Sequence, residues 1–494
     1  MLTYADVCWR MLTYADECQE VDSLAIDRIF SASGRLSDEA IVDFVRQLCA
    51  VSREEMDSQP APPRVFSMQK IVEITYYNMS RIRIVWSRIW AILGQHFQSV
   101  ALRKDEQLSM YAIDAMRQLA FKFLEKEELT SFHFQRDFLK PFDHIIANAP
   151  SPVIRELVVR CVTQVVRSTS RNIKSGWKNV FQVLNIAARD ESETVVALAF
   201  DLVHKIVEEP ASFALVTGDA SHGHVAYADC VACLAAFARN KHRNDMSLES
   251  VRLMTVCTHK TLTLLSQKTL QRAPHAPHTH TTHTTHTASS SESARPCSPV
   301  ETIEEAASVV LYTDREEDVR LWFPVLTALG ALAADSRAND ALRSAALGAL
   351  FSVLLDYGHQ FSSQLWGIVS QGVLLPLFED VHHMEEVGDT AWLRAQLAPA
   401  FEHMTRLCVA LMPAVMSPLA DFLKVLAACI GQVLSLSRSL FRSLSISLSL
   451  YLSLARSLSH SLALSLPRAL SLSLSLAYLL KELAACIGAG RGYG

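Results

Sequence analysis

The chain has 494 residues, half of them apolar, which allows roughly two to four conventional domains and a large buried core. Its 46 basic and 51 acidic residues leave a net charge of −5, so the overall balance gives no electrostatic ground for nucleic-acid binding. Eleven cysteines, an odd number scattered along the chain with no secretory leader before them, suit reduced thiols in the cytosol.

The opening residues, Met1 to Arg10, carry Asp6 and Trp9 and lack a charged stretch followed by an apolar run, so the expected location is cytosolic or peripheral on a membrane. MLTYAD stands at Met1 to Asp6 and again at Met11 to Asp16, which sets residues 1–24 apart as a duplicated or disordered start. Dense helical patterning fills 25–265. Between Arg81 and Leu93 arginines alternate with tryptophans, an arrangement that stacking on nucleic acid would use. Yet Ile82, Val85, Trp86, Ile89 and Leu93 recur at helical spacing, so core packing is the expected role.

Leu108, Ala112, Ala115, Leu119 and Phe123 form an apolar stripe behind Asp105. The next stripe, Ile154, Leu157, Val158, Cys161, Val162 and Val165, follows Ser151 and Pro152. Serine can cap free amides there, and proline at the first helical position forfeits no hydrogen bond. Val195, Leu198, Ala199, Leu202 and Ile206 follow the Asp190, Glu191, Ser192 cluster. The three starts, Asp105, Ser151 and Ser192, are 46 and 41 residues apart, inside the ~40–47 range of HEAT or armadillo repeats. The expected fold is all-α, an armadillo/HEAT-like α-solenoid of stacked helix pairs with disordered low-complexity insertions.

Arg171, Lys174 and Lys178 fall at i, i+3 and i+7 with Trp177 beside them. On a continuous helix they would make a basic strip for an acidic partner or anionic lipid. The competing reading has Trp177 buried, the cations solvated, and Ser175-Gly176 breaking the helix. Cys230 and Cys233 form a lone CxxC inside an apolar helical stretch, Ala226 to Phe237, so buried thiols are expected rather than zinc.

Residues 266–319 form a linker whose centre, 274–298, is rich in Pro, His, Thr and Ser and cannot bury enough apolar surface to fold. Its His275, His278, His280, His283 and His286 have no fixed geometry and offer only weak, adventitious metal binding. A second helical-repeat segment covers 320–432, with Trp322, Leu326, Leu329 and Leu332 near its start and a turn at Tyr357-Gly358. No phosphate loop, HExxH or GxSxG motif is present, and neither a catalytic residue nor a cofactor or metal is expected.

From 433 to 480 Leu and Ser alternate. One strand of that length would run on the order of 160 Å, and a helix would spread leucines all round. A membrane span would carry Arg438, Arg442, Arg456 and Arg468, each costing about 2.5–3.5 kcal/mol at mid-bilayer. A CT dinucleotide repeat encodes Leu-Ser, and an AC repeat encodes Thr-His. KVLAACIG at Lys424 to Gly431 returns as KELAACIG at Lys481 to Gly488, at the head of the short remnant 481–494. Both observations point to retained non-coding sequence.

AIDRIF at Ala25 to Phe30, AIVDFVRQLCAVS at Ala40 to Ser52, and FSMQKIVEITYYNMSRIRIVWSRIW at Phe66 to Trp90 resemble the large brefeldin-A-inhibited Arf guanine nucleotide-exchange factors. So do AIDAMRQLAFKFLEKEEL at Ala112 to Leu129, FQRDFLKPFDHII at Phe134 to Ile146 and RNIKSGWKNVF at Arg171 to Phe181. WFPVL at Trp322 to Leu326 and DYGHQF at Asp356 to Phe361 extend the resemblance more weakly. In that family these blocks are helical homology regions downstream of the exchange domain, associated with autoinhibition, membrane recruitment and partner binding. The exchange domain, with its glutamate finger, and the N-terminal dimerisation scaffold have no counterpart in the sequence.

The resemblance therefore implies a non-catalytic regulatory fragment acting in vesicle-mediated protein transport at trans-Golgi and endosomal membranes. Its implied partners are other domains of the exchange factor, Arf-family small GTPases and the anionic Golgi membrane, with no nucleic acid. Homodimer formation through the parent protein stays open. The alternative is a free-standing armadillo-like adaptor unrelated to nucleotide exchange. Sequencing the transcript tests the gene structure: the message should lack the repeat tract, and a continuous message across Val433 to Leu480 would overturn the non-coding reading.

Overall fold

The computed structural model describes residues 23–57, 65–81, 83–125, 133–217, 223–272, 312–335 and 337–377, with scattered positions between 399 and 410. Residues 1–22 of the duplicated start, the histidine-rich stretch, the Leu/Ser tract and the C-terminal remnant lie outside the described residues.

Fifteen α-helices make up the described chain. A short α1 (Ser23–Ser31) precedes four successive pairs: α2 (Asp38–Asp57) with α3 (Phe66–Asn78), α4 (Arg83–Ala101) with α5 (Glu106–Leu124), α6 (Phe134–Asn148) with α7 (Pro152–Thr169), and α8 (Trp177–Ala187) with α9 (Glu193–Glu208). After α10 (Pro210–Thr217) come α11 (Gly223–Ala238) with α12 (Asn244–Arg272), α13 (Glu316–Ala333) with α14 (Asp340–Tyr357), and finally α15 (Ser363–Val369). Helices α2, α4, α6, α8, α11 and α13 touch in that order and form one layer, while α3, α5, α7, α9, α12 and α14 form the other. This is the two-layer α-solenoid that the repeat spacing predicts. No β-strand occurs among the described residues, where the only β-type pairing is an isolated bridge between Tyr312 and Phe361.

Each apolar stripe is wide because a helix must cover its pair partner and the next repeat at once. On α5, Leu108, Ala112, Ala115, Met116, Leu119 and Phe123 are all buried; on α7, Ile154, Val158, Cys161, Val162 and Val165 are. The tryptophans between Arg81 and Leu93 go inward as expected. Trp90 stacks on Phe138 of α6 with ring centroids 4.1 Å apart, Phe138 stacks on Phe123 at 4.2 Å, and Trp86 lies against Phe123 at 5.6 Å. Ile84 is the exception at 71% exposed.

The two helical stretches flanking residues 273–311 join in one stack, with α13 on α11 and α14 on α12. Trp322 is enclosed by Tyr312, Tyr357 and Phe361, and α14 ends at Tyr357, where the sequence places a turn. No described helix is long and apolar enough to cross a membrane.

The three expected start signals behave differently. Asp105 caps α5, its carboxylate accepting from Gln107 N at 2.9 Å and Leu108 N at 3.2 Å. Ser151 does not cap α7; its hydroxyl donates to Glu106 of the preceding repeat at 2.6 Å. Ser192 likewise makes no side-chain cap, sharing a hydrogen bond with Thr194 while its N–H is bound by Asp190. Stacking thus recruits groups that an isolated helix would use on itself. Asp105→Ala should cost about 1 kcal/mol in equilibrium unfolding, whereas Ser151→Ala, which removes an exposed contact only, should stay within about 0.5 kcal/mol.

Candidate functional site

The segment carrying the expected basic strip is held by a side chain from another helix. α7 ends at Thr169, Ser170–Asn172 form a 3-10 turn, and α8 begins only at Trp177. Gln135 of α6 is fully buried and donates to Asn172 O at 2.8 Å. Its carbonyl accepts from Lys174 N at 2.8 Å and Gly176 N at 3.4 Å. A buried backbone without a regular ladder needs such a partner. Gly176 faces the same helix closely: a Cβ there would lie 2.9 Å from Leu139 Cδ1 and 3.3 Å from the Gln135 carbonyl oxygen.

The break at Ser175-Gly176 divides the strip. Trp177 is 1% exposed and stacks on Phe181 at 5.8 Å, so it is a core residue and not part of a surface. The reason is its place as the first residue of α8, packed on the opposite side from solvent. Arg171, Lys174 and Lys178 are exposed but do not share one helix face. Arg171 lies on the 3-10 turn, Lys174 in the connection, and Lys178 in the first turn of α8. There Lys178 and Arg136 act electrostatically on Asp229 of α11, opposing the burial that raises its pKa above the ordinary carboxylate value.

Arg171 instead borders a groove of about 760 Å³ between α7, the 3-10 turn, α9 and α10. Arg167, Lys205 and His204 also border it, and Val166, Leu202, Ile206 and Leu215 supply apolar lining. The sequence reading missed Arg167 and Lys205. The single available signal was that Arg167 and Arg171 are four residues apart; Lys205 joins them only because α9 stacks on α7.

Beside the groove, His204, Glu208 and Glu249 place ligand-type atoms within 4.8 Å of one another. Arg252 already spans both carboxylates, donating to Glu249 at 2.7 Å and also to Glu208. Its guanidinium lowers the pKa of each glutamate. Lys260 adds bonds to the Val207 and Glu208 carbonyls at 2.6 and 2.7 Å. The cluster is an ion-pair joint between α9 and α12, since a metal would have to displace the guanidinium. Cys230 and Cys233 are both 0% exposed, as is Cys257, and burial pushes the Cys233 and Cys257 thiols well above the ordinary value.

Residues 122–205 match the Sec7-like HDS family, described as Mon2/Sec7/BIG1-like. Brefeldin A-inhibited guanine nucleotide-exchange protein 1 of Arabidopsis thaliana is 36% identical over 431 residues, covering 83% of this chain and 24% of that protein. The Homo sapiens protein of the same name is 36% identical over 412 residues, covering 82% of this chain and 19% of its own length. The chain belongs to the brefeldin A-inhibited guanine nucleotide-exchange protein family. It spans a quarter or less of these relatives, and so corresponds to a part of an exchange protein. A solved circular tandem-repeat protein overlaps 94% of the chain at 13% identity and a TM-score of 0.26.

Within the matched segment, Asp143 of α6 accepts from Asn179 of α8 at 2.6 Å, while its second oxygen is enclosed with no hydrogen-bond partner among the described residues. Burial raises its pKa to about 7 against the partial relief of that hydrogen bond. An unfolded aspartate ionises near 4, so ionisation disfavours the folded state. The Asp143 contribution to stability is therefore greatest at low pH and is lost as pH rises from about 4 through about 7. In paired denaturant titrations, Asp143→Asn should gain stability relative to the parent on going from about pH 5 to about pH 8. A pH-independent difference would show that the carboxyl ionises as it does in water.

Proposed function

We propose that this chain is a regulatory, non-catalytic helical-repeat part of an Arf guanine nucleotide-exchange factor. In this reading it serves vesicle-mediated protein transport from the cytoplasmic side of trans-Golgi network and endosomal membranes. The observation that carries the proposal is the extent of the match: 36% identity runs along 83% of a chain that occupies only 24% of its Arabidopsis relative. Over the described residues that stretch is a continuous stack of helices. The buried polar groups in the matched segment join helices to one another, as Gln135 and the Asp143–Asn179 pair do. Function then falls to the exposed surface.

The partners in this proposal are other domains of the exchange factor, Arf-family small GTPases and anionic Golgi membrane, with homodimer formation through the parent protein. Arg171, Lys174 and Lys178 are the proposed contact residues, and Trp177 sets their positions from the core. Their charges would favour carboxylate or phosphate partners.

The experiment combines the full chain with a separate exchange domain from a relative, an Arf GTPase and anionic liposomes. Adding the chain should change the rate of nucleotide exchange, or the amount of exchange domain recovered on liposomes, by about fivefold or more. If neither quantity moves while the added chain is folded by circular dichroism, the regulatory reading falls.

A further inference from the structure

We propose that the groove between α7 and α9 is a docking site for an acidic peptide of a partner protein, its carboxylates held by Arg167 and Arg171. The inference rests on how the charges around the groove are committed, and it stands whether or not the repeats regulate exchange.

Two other arginines of α7 are paired. Arg155 binds Asp190 through two hydrogen bonds of 2.6 and 3.0 Å, and Arg160 binds Glu156 at 2.6 Å. Arg167 and Arg171 are exposed, line the groove, and have no carboxylate partner among the described residues. Lys205 on the facing helix reaches Asp201 only at 3.9 Å. Of the acids that line the groove, Glu208 pairs with Arg252, and Glu209, which accepts only from the neutral Ser212 hydroxyl at 2.8 Å, is outnumbered by Arg167, Arg171 and Lys205. The balance of uncommitted charge in the groove is therefore positive, and it is concentrated on the wall made by α7 and its 3-10 turn.

Guanidinium groups bind carboxylates through paired, planar hydrogen bonds, which gives direction as well as charge. The volume of about 760 Å³ suits several residues of extended or helical peptide. Half-buried Leu215, with Val166, Leu202 and Ile206 only 2–4% exposed beneath it, gives one hydrophobic side chain a shallow apolar contact between two carboxylates. Concavity argues for a peptide over a flat bilayer. A membrane would also meet the carboxylates of Asp201 on α9 and of Glu209 between α9 and α10, whereas a peptide can set its acids against the arginine wall alone.

The test uses the full chain and a fluorescein-labelled ten-residue peptide in which pairs of Glu alternate with Leu, read by fluorescence anisotropy. The parent chain should bind it, weakening steeply as salt is raised. Arg167→Glu with Arg171→Glu should lower affinity by about tenfold or more, Lys104→Glu in the exposed loop between α4 and α5 should leave it unaltered, and a peptide with Gln in place of Glu should bind no better than the charge-reversed chain. Should the double variant fail to fold, Arg167→Gln and Arg171→Gln made singly should each weaken binding, since both side chains are exposed.

Equal affinity for the Glu and Gln peptides, insensitivity to salt, or equal loss on changing Lys104 would each overturn the proposal. Binding of phosphatidylserine vesicles through the two arginines, with no binding of the peptide, would assign the surface to a membrane instead.

Discussion

No helix pair among the described residues encloses its own apolar surface, and the rest of the structure follows from that. Phe138 shows the constraint in one residue. It stacks on Trp90 and Phe123, which belong to the preceding pair, at 4.1 and 4.2 Å. Burying such a ring is worth about 1.5–3 kcal/mol, and here its stacking contacts lie across repeats. Stability is accordingly shared along the stack, and a surface-exposed change is tolerated far better than a gap in one layer.

Apolar faces attract but do not fix register, because neighbouring ridges can slide. Register comes from polar contacts in the loops that lead from the first layer to the second. Arg103 reaches Asp57 at 2.7 Å and Ser151 reaches Glu106 at 2.6 Å, across 46 and 45 residues of sequence. Further along, His242 donates to the Asp190 carbonyl at 3.0 Å, Arg239 pairs with Asp335, and Asn339 bonds Asn244. Exposed pairs of this kind contribute little energy singly, about 0–1 kcal/mol. Arg155 with Asp190 is different: their side chains are 17% and 5% exposed, so losing either partner strands a buried charge. Inside the stack His96 bonds the Ser52 hydroxyl at 3.2 Å, and burial lowers its pKa to about 4, which keeps the contact neutral.

The solenoid was legible in the sequence because its cause is periodic. The stripes on α5, α7 and α9 state both the helix and the buried face, and their spacing states the repeat. Caps were less legible for a physical reason. Asp105, Ser151 and Ser192 are all good capping residues, but only Asp105 caps; Ser151 is drawn to Glu106 and Ser192 yields its place to Asp190, contacts that exist only after stacking. The basic strip failed as a single face because Ser175-Gly176 ends the helical geometry that its spacing assumed. Its competing reading, with Trp177 in the core, is the one the packing bears out. The groove was invisible because Arg167 and Lys205 sit on helices that meet only in the folded stack.

That division gives the connection between α7 and α8 a particular importance. Seven residues, Ser170 to Gly176, carry the chain from the second layer to the first without an α-helix. Arg171 faces the groove near the start of this link, and Lys178 lies just past its end, among charges of the other layer. Left to itself, a link of this kind would let the two cations move independently. Gln135 ties it to α6 by bonding Asn172, Lys174 and Gly176, while Ile173 and Trp177 are buried on either side. The spacing between the two charged surfaces is thus set by the amide of a third helix.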